Sequence, residues 1–291
     1  MFSIIIPTFN NLEYLKLCLY SIKKNSTNEH QIVLHVNEGY DGTLEYVKEN
    51  KIEHTYSKKN IGLCSAVNLA TKKAKTNYIL YSHDDMYFCP DWDKVLKDEV
   101  LKLNTKLFYL SGTMIEPNSG HIQLDCGSEY SNFDENMLLK NFKNLRYYDY
   151  QGSHWAPHLI HKDIWTKIAG FSEEFNPGIG SDPDLNMKLW NEGVRIFKGL
   201  NNFKVYHFGS ISLRKKKDLK VNKGSNTFLK KWGFSPSFFI KHFLKGENFS
   251  ENKIVSFKYD GPLNEPVKNI NYFVDLFISK IKFLKLILFK S

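Results

Sequence analysis

The chain is 291 residues long, with 42% hydrophobic and 15% aromatic residues. That supply of apolar side chains can build a sizeable core, and it excludes wholesale disorder. The net charge of +9 is uneven: residues 1–210 hold 23 Lys+Arg against 25 Asp+Glu, whereas residues 211–291 hold 17 against 6. A basic end on a near-neutral body suits an anionic partner, lipid headgroups or nucleic acid, or else a merely solvated tail. Cys18, Cys64, Cys89 and Cys126 are scattered, with no CxxC pair. That pattern fits reduced thiols in the cytoplasm better than a disulfide framework or a zinc site. Met1-Phe2-Ser3 carries no basic n-region, and the apolar run behind it is too short for a signal peptide.

In chain order, residues 2–6 predict a buried strand stopped by Pro7. Leu12, Leu15, Leu19 and Ile22 have the spacing of a helix over 12–24. A second strand is expected at 31–36, a helix over 43–50, a short strand near 54–56, a helix over 63–74 and a fourth strand at 78–82. Such alternation implies right-handed crossovers and a mostly parallel sheet. In open sheets of this type ligands gather beyond the carboxyl ends of the strands. Pro7-Thr8, Asn37-Glu38 and Asp84-Asp85 all fall at such ends. Residues 107–115 read as a strand and 131–150 as a mixed aromatic stretch. Helical spacing returns at 162–169 and 184–192, with strands near 194–198 and 203–208. Past a basic run at 214–217, a helix is expected around 225–232. The stretch from Tyr272 to Ser291 alternates Phe, Leu and Ile with Lys280, Lys282, Lys285 and Lys290. Charges interrupt it too often for a membrane span. A basic amphipathic helix on a membrane surface, or a helix packed on the body, are the two expectations.

Five places carry candidate chemistry. Asp85, at a strand end, can anchor Mg²⁺ or Mn²⁺ once a diphosphate supplies further oxygens, and Asp84 can accept a hydrogen bond from a ribose. His207, in Val205-Tyr206-His207-Phe208, can complete the metal shell with a neutral imidazole. Ser181-Asp182-Pro183-Asp184 stands at a helix start, where acids and proline are ordinary capping chemistry. One of the two acids can cap while the other enters a cleft and takes a proton from an attacking hydroxyl. Trp155, in Gln151-Gly152-Ser153-His154-Trp155, can stack on a sugar or serve the core. Arg214 and Lys215 can close over a diphosphate or belong to the basic surface.

In this order the pieces resemble glycosyltransferase family two, inverting nucleotide-sugar transferases of GT-A fold. Ile4-Ile5-Ile6-Pro7-Thr8-Phe9-Asn10 looks like the family's opening strand and nucleotide loop. Asn37-Glu38-Gly39-Tyr40-Asp41-Gly42-Thr43 resembles its base-reading Asp-Asp-Gly-Ser turn, and Asn60-Ile61-Gly62 its donor-side Asn-x-Gly segment. His83-Asp84-Asp85-Met86 stands where the metal-binding DxD-type motif falls. Gly170 to Phe175 and Gly180 to Leu185 look like the acceptor-side stretch with its Glu-Asp catalytic motif, and His207 matches a later metal-ligand histidine. The likeness covers about residues 2–215. Departures are Asn37-Glu38 for an acidic pair, His83 for the first acid of the triplet, which leaves metal binding to Asp85, and Ser181 for the usual Glu. The Ser-Asp-Pro-Asp form and a stretch like Asn222 to Gly233 occur together in a subset of bacterial and viral members.

The resemblance implies an α/β, GT-A sheet flanked by helices, with a basic helical C-terminal extension. It implies a nucleotide-sugar-binding half at 1–100, an acceptor-binding and catalytic half at 101–210, and the extension at 211–291. Asp182 is the implied base, and Asp85 and His207 the ligands of Mn²⁺ or Mg²⁺. Pro7, Thr8, Asn10, Glu38, Asn60, Gly62 and Asp84 are the implied donor contacts; Trp155, Ser181 and Asp184 are those of the acceptor. The partners would be a nucleotide-diphosphate sugar and a glycan or glycolipid acceptor in cell-surface polysaccharide or lipopolysaccharide synthesis. Peripheral contact with the inner face of the membrane is expected through the basic helix, and nucleic acid is not. The alternatives are a sugar-phosphate nucleotidyltransferase, which would want a Gly-rich, Arg-containing phosphate loop that Pro7-Thr8-Phe9-Asn10 does not supply, and a non-catalytic glycan- or nucleic-acid-binding protein.

Overall fold

The structure is a computed structural model that describes residues 1–209, 223–246, 248–250 and 253–288. A mixed sheet runs through the body in the order Glu53–Ser57, Gln31–Asn37, Ser3–Phe9, Tyr78–Tyr81, His158–His161, Phe108–Glu116, Ile196–His207, Met86–Phe88. Its first half comprises β1 (Ser3–Phe9), β2 (Gln31–Asn37), β3 (Glu53–Ser57) and β4 (Tyr78–Tyr81), all parallel. The crossovers are α1 (Leu12–Asn25), α2 (Thr43–Glu49) and α3 (Leu63–Thr71). Ile4, Ile5, Ile6, Val33, Leu34 and Val36 are wholly buried, as expected of strands covered by helices on both faces.

The second half is less regular. β5 (Met86–Phe88) pairs antiparallel with β10 (Ile196–His207), and α4 (Trp92–Leu103) buries Trp92, Leu96 and Val100. β6 (Phe108–Glu116) runs parallel to β10, with β7 (Ile122–Gln123) beside it. After α5 (Glu135–Asn141) and β8 (Tyr150–Gln151), β9 (His158–His161) inserts between β4 and β6, antiparallel to both. α6 (Lys162–Lys167) and α7 (Ser181–Asn191) then lead into β10. The sheet is therefore parallel where βαβ units build it and mixed where β5, β8 and β9 enter.

The two strands expected at 194–198 and 203–208 form one long strand. The polar Asn201-Asn202 pair is a bulge inside β10, where the register with β6 shifts between Leu200 and Lys204. Asp149 holds that bulge, accepting from Asn201 N at 3.0 Å and Asn201 Nδ2 at 2.6 Å.

Beyond the sheet lie a helix at Gly224–Trp232, a short helix at Pro236–Phe239 running into a π-turn at Ile240–Leu244, two short antiparallel strands at Asn248–Ser250 and Lys253–Val255, and a helix at Ile270–Leu288. Phe228, Phe239, Leu244, Ile254 and Leu263 join the same core as the sheet. Arg214, Lys215 and Lys290 lie outside the described residues.

Candidate active site

The carboxyl ends of β1, β2, β4, β6 and β10 open on one cavity of about 950 Å³. Pro7, Thr8, Asn60, Asp84, Asp85, Trp155, Ser181, Asp182 and His207 all line it. Asp85 and Asp182, nearly a hundred residues apart, thus share one cleft.

β4 ends at Tyr81, and the turn beyond it carries His83, Asp84 and Asp85. The last residue of β10 is His207, paired with Met86 at the start of β5. That pairing brings His207 Nε2 to 3.6 Å from Asp85 Oδ1, and His83 Nδ1 stands 3.9 Å from the same oxygen. One donor atom from each of the three residues lies within 4.8 Å of the others. Two ligands of one cation, each about 2.1 Å from it, can stand at most about 4.2 Å apart, so both histidine–Asp85 pairs already suit a shared divalent ion. His83, which the sequence reading leaves outside the metal shell, offers a third donor atom. A fourth residue escapes that reading entirely: Glu116, at the end of β6, contacts His207 Nδ1 at 2.6 Å. A carboxylate on the second ring nitrogen fixes the tautomer that offers Nε2 to a metal. Burial pushes Glu116 up, but its bond and charge contact with His207 outweigh that and hold it below the usual carboxylate range.

Asp84 points away from this cluster and accepts from Asn11 Nδ2 at 3.1 Å. Burial, with the adjacent Asp85 charge behind it, raises its pKa to about 7. Burial also lowers His83 to about 4, keeping its imidazole neutral, as ligation requires.

The donor-side residues divide. Pro7, Thr8, Asn60 and Asp84 face the cavity, whereas Asn10, Glu38 and Gly62 do not line it. Asn10 Oδ1 accepts from Gly39 N and Tyr40 N, each at 2.9 Å, and its amide donates to Glu38 Oε2 at 3.0 Å. That brace holds Glu38 at a positive φ of 62°. Gly62 N donates to Asn60 Oδ1 at 2.8 Å. With φ at +83°, and an added Cβ running into the Asn176 side chain, the position admits only glycine without strain.

On the other wall, Gly178 to Gly180 make a tight turn and α7 begins at Ser181. Ser181 Oγ donates to Gly178 O at 2.6 Å, so its hydroxyl closes the turn. Asp182 faces the cavity, and burial alone raises its pKa to about 7. A carboxylate poised there can accept a proton near neutral pH. Asp184, expected on the acceptor, is fully buried and does not line the cavity. It accepts from Ser172 Oγ at 2.5 Å and Trp232 Nε1 at 2.8 Å, and pairs with Lys231 Nζ at 2.9 Å. Two helical positions apart is about 200° of rotation, so Asp184 turns inward when Asp182 turns to the cleft. Trp155, half-buried, lies on the cavity wall with Ile179, Pro236 and Ile240.

The profile described as glycosyl transferase family 2 matches residues 3–165. The chain is 25% identical over 275 residues to a chondroitin synthase of Escherichia coli, covering 92% of this chain and 35% of that protein. It is 25% identical over 264 residues to a hyaluronan synthase of Pasteurella multocida, covering 89% and 24%. The chain thus spans about a third or less of these relatives' length. Among solved structures, S. aureus TarS 1–349 matches with a TM-score of 0.54 at 18% identity, over 71% of this chain and 60% of that one. The same protein in complex with UDP-GlcNAc matches at 0.51 and 17%, over 72% and 60%. At that identity the likeness carries the GT-A-type fold alone. These matches do not favour the nucleotidyltransferase or the non-catalytic alternative.

Proposed function

The chain belongs to glycosyl transferase family 2, and on that footing we propose that it transfers a hexosyl or N-acetylhexosaminyl group, with inversion, from a UDP-sugar to a glycan hydroxyl in cell-surface polysaccharide synthesis. The observation that carries this reading is the single cavity that unites His83, Asp85 and His207 with Asp182. Asp182 is the base. As the acceptor oxygen bonds to the anomeric carbon, its proton passes to the Asp182 carboxylate. The bond from that carbon to the diphosphate oxygen breaks on the opposite face, which inverts the centre.

His83, Asp85 and His207 would hold a divalent cation, with Glu116 orienting His207. Such an ion supplies charge that offsets the leaving diphosphate. Two imidazoles beside one carboxylate suit Mn²⁺ better than Mg²⁺, which prefers oxygen donors.

Residues 1–100 form the donor half: Pro7, Thr8, Asn60 and Asp84 contact the nucleotide, with Asp84 on the ribose. Asn10, Glu38 and Gly62, which do not line the cavity, shape the loops that meet it. Residues 101–210 carry the acceptor, with Trp155 stacked on a sugar ring and Ser181 closing the turn that aims Asp182. Residues 211–291 are the basic extension. UDP is the nucleotide proposed, a choice supported by TarS, whose structure is described in complex with UDP-GlcNAc. Four buried free thiols support a reducing, cytoplasmic setting.

A thermal-shift panel of UDP-, GDP-, dTDP- and CMP-sugars, with and without Mn²⁺, tests the donor, since a bound ligand stabilises the fold by mass action. A UDP-sugar should shift Tm only with metal present, and its hydrolysis should stop in Asp85→Ala and Asp182→Asn. A panel with no metal-dependent shift, or a product that retains the donor's anomeric configuration, would overturn the reading.

A further inference from the structure

The helix Ile270–Leu288 packs on the body by one face and leaves an apolar face exposed. Its inner face packs on the segment at 235–244. Ser279 is 2% exposed and its hydroxyl meets Ser235 Oγ at 3.1 Å. Asp275 takes Lys241 Nζ and His242 Nε2, each at 2.7 Å. The Tyr272 ring lies against Phe238 at 5.0 Å.

The outer face carries Ile270, Phe273, Phe277, Ile281, Leu284 and Leu288, all exposed, with Ile270 at 81%, Phe277 at 67% and Leu288 at 72%. Their spacing of three, four, four, three and four residues draws one stripe down about 30 Å of helix. A contiguous exposed apolar stripe of that length marks an interaction surface. At about 100° per residue, Lys280 falls about 60° to one side of Phe277 and Lys285 about 80° to the other, so a cation borders the stripe on each flank. The one acid in the helix, Asp275, is turned inward and ion-paired.

We infer that this outer face docks on an anionic lipid bilayer, with the stripe at the acyl boundary and Lys280 and Lys285 reaching lipid phosphates. Lysine stems bury along apolar surface while their ammonium groups stay at the headgroup level. The flanking charge selects this occupant. A second copy of the chain would set lysine rims against lysine rims, with no acid on either outer face to offset them. Lys280, Lys282 and Lys285 argue against burial across the bilayer, and no described helix is long and apolar enough to cross one. The segment that seats the helix, through Phe238 and His242, also presents Pro236, Ile240 and Lys241 to the cavity. Docking would therefore hold the cleft within one helical layer of the membrane surface. The inference stands apart from the transfer chemistry, because no residue of the stripe lines the cleft.

The test is sedimentation of the full chain with phosphatidylcholine vesicles, with and without phosphatidylglycerol. Binding to the anionic vesicles should exceed that to neutral ones by roughly 10-fold or more, and should fall with added salt. Phe277→Ser with Leu284→Ser should reduce binding to both vesicle types. Lys280→Gln with Lys285→Gln should reduce the anionic preference alone. Unchanged Tm and unchanged hydrolysis of the donor would show that each variant is folded. Equal partition into both vesicles, or recovery of the wild type in the supernatant, overturns the inference. So does a dimer in sedimentation equilibrium that Phe277→Ser dissolves.

Discussion

His207 and Glu116 meet at 2.6 Å, joining the last residues of two neighbouring parallel strands directly behind the candidate metal site. The contact fixes which nitrogen of His207 faces Asp85. Glu116→Gln keeps the shape but removes the charge that favours that arrangement. Apparent Mn²⁺ affinity should weaken by about 10- to 100-fold, with donor affinity at saturating metal little changed. Manganese titration of donor hydrolysis measures this.

His83→Ala should convert a two-imidazole site into one poorer in nitrogen. The ratio of activity in Mn²⁺ to activity in Mg²⁺ should fall, since imidazole favours the transition metal. Activity in the two ions, each at saturation, gives the ratio for variant and wild type.

Asp182→Asn should lower the transfer rate by about 10²–10⁴-fold, the usual contribution of a positioned base. In the wild type the rate should rise with pH through about 7, as the carboxylate loses its proton. The stability effect has the opposite sense. Between the ordinary value of 3.8 and about 7, the folded state binds a proton that the unfolded state has released, so stability falls as pH rises. Asn removes that penalty. The variant should gain about 1 kcal/mol or more at pH 8 without metal and nothing near pH 3, as read by urea unfolding at both.

Lys231→Met should strand the fully buried Asp184 without its cation. Breaking a buried pair from one side costs about 3–5 kcal/mol; with Lys231 itself part-exposed, the lower end is expected. The double change Lys231→Met with Asp184→Asn should recover most of the loss. Denaturant melts of the four members of the cycle report the coupling.

Gly62→Ala should weaken donor binding more than it slows the bound donor. The added Cβ meets Asn176, and φ of +83° disfavours any L side chain, so Asn60 would be displaced from the cavity wall. A rise in KM for the donor, with kcat largely kept, is the expected split.

The parallel half of the sheet was legible because Ile4-Ile5-Ile6 and Tyr78-Ile79-Leu80-Tyr81 are apolar runs between turn residues, and because strand ends collect ligands. The same reasoning applied to β6 would have drawn Glu116 into the site. β9 escaped because His158-Leu159-Ile160-His161 is only four residues long, ends in histidines and follows a proline. β5 and α4 lay just past the acidic turn in a stretch with no clear alternation. The separation of Asp182 from Asp184 was also available: residues two apart on a helix face different ways. His83 looked like a lost acid, when a histidine at a metal site can be a change of ligand.

β9 runs against β4, so His158 stands beside Tyr81 and the chain entering β9 arrives where the chain leaving β4 departs. One rim of the sheet therefore receives traffic in both directions. The outgoing segments hold His83, Asp85, Glu116 and His207, whose positions are tied to strand ends. The incoming segment carries Trp155, and none of its residues belongs to the His83, Asp85 and His207 cluster found among the described residues. A change in that incoming segment leaves the strand ends that carry His83, Asp85, Glu116 and His207 where they are, so one wall of the cleft can be reshaped without moving the other.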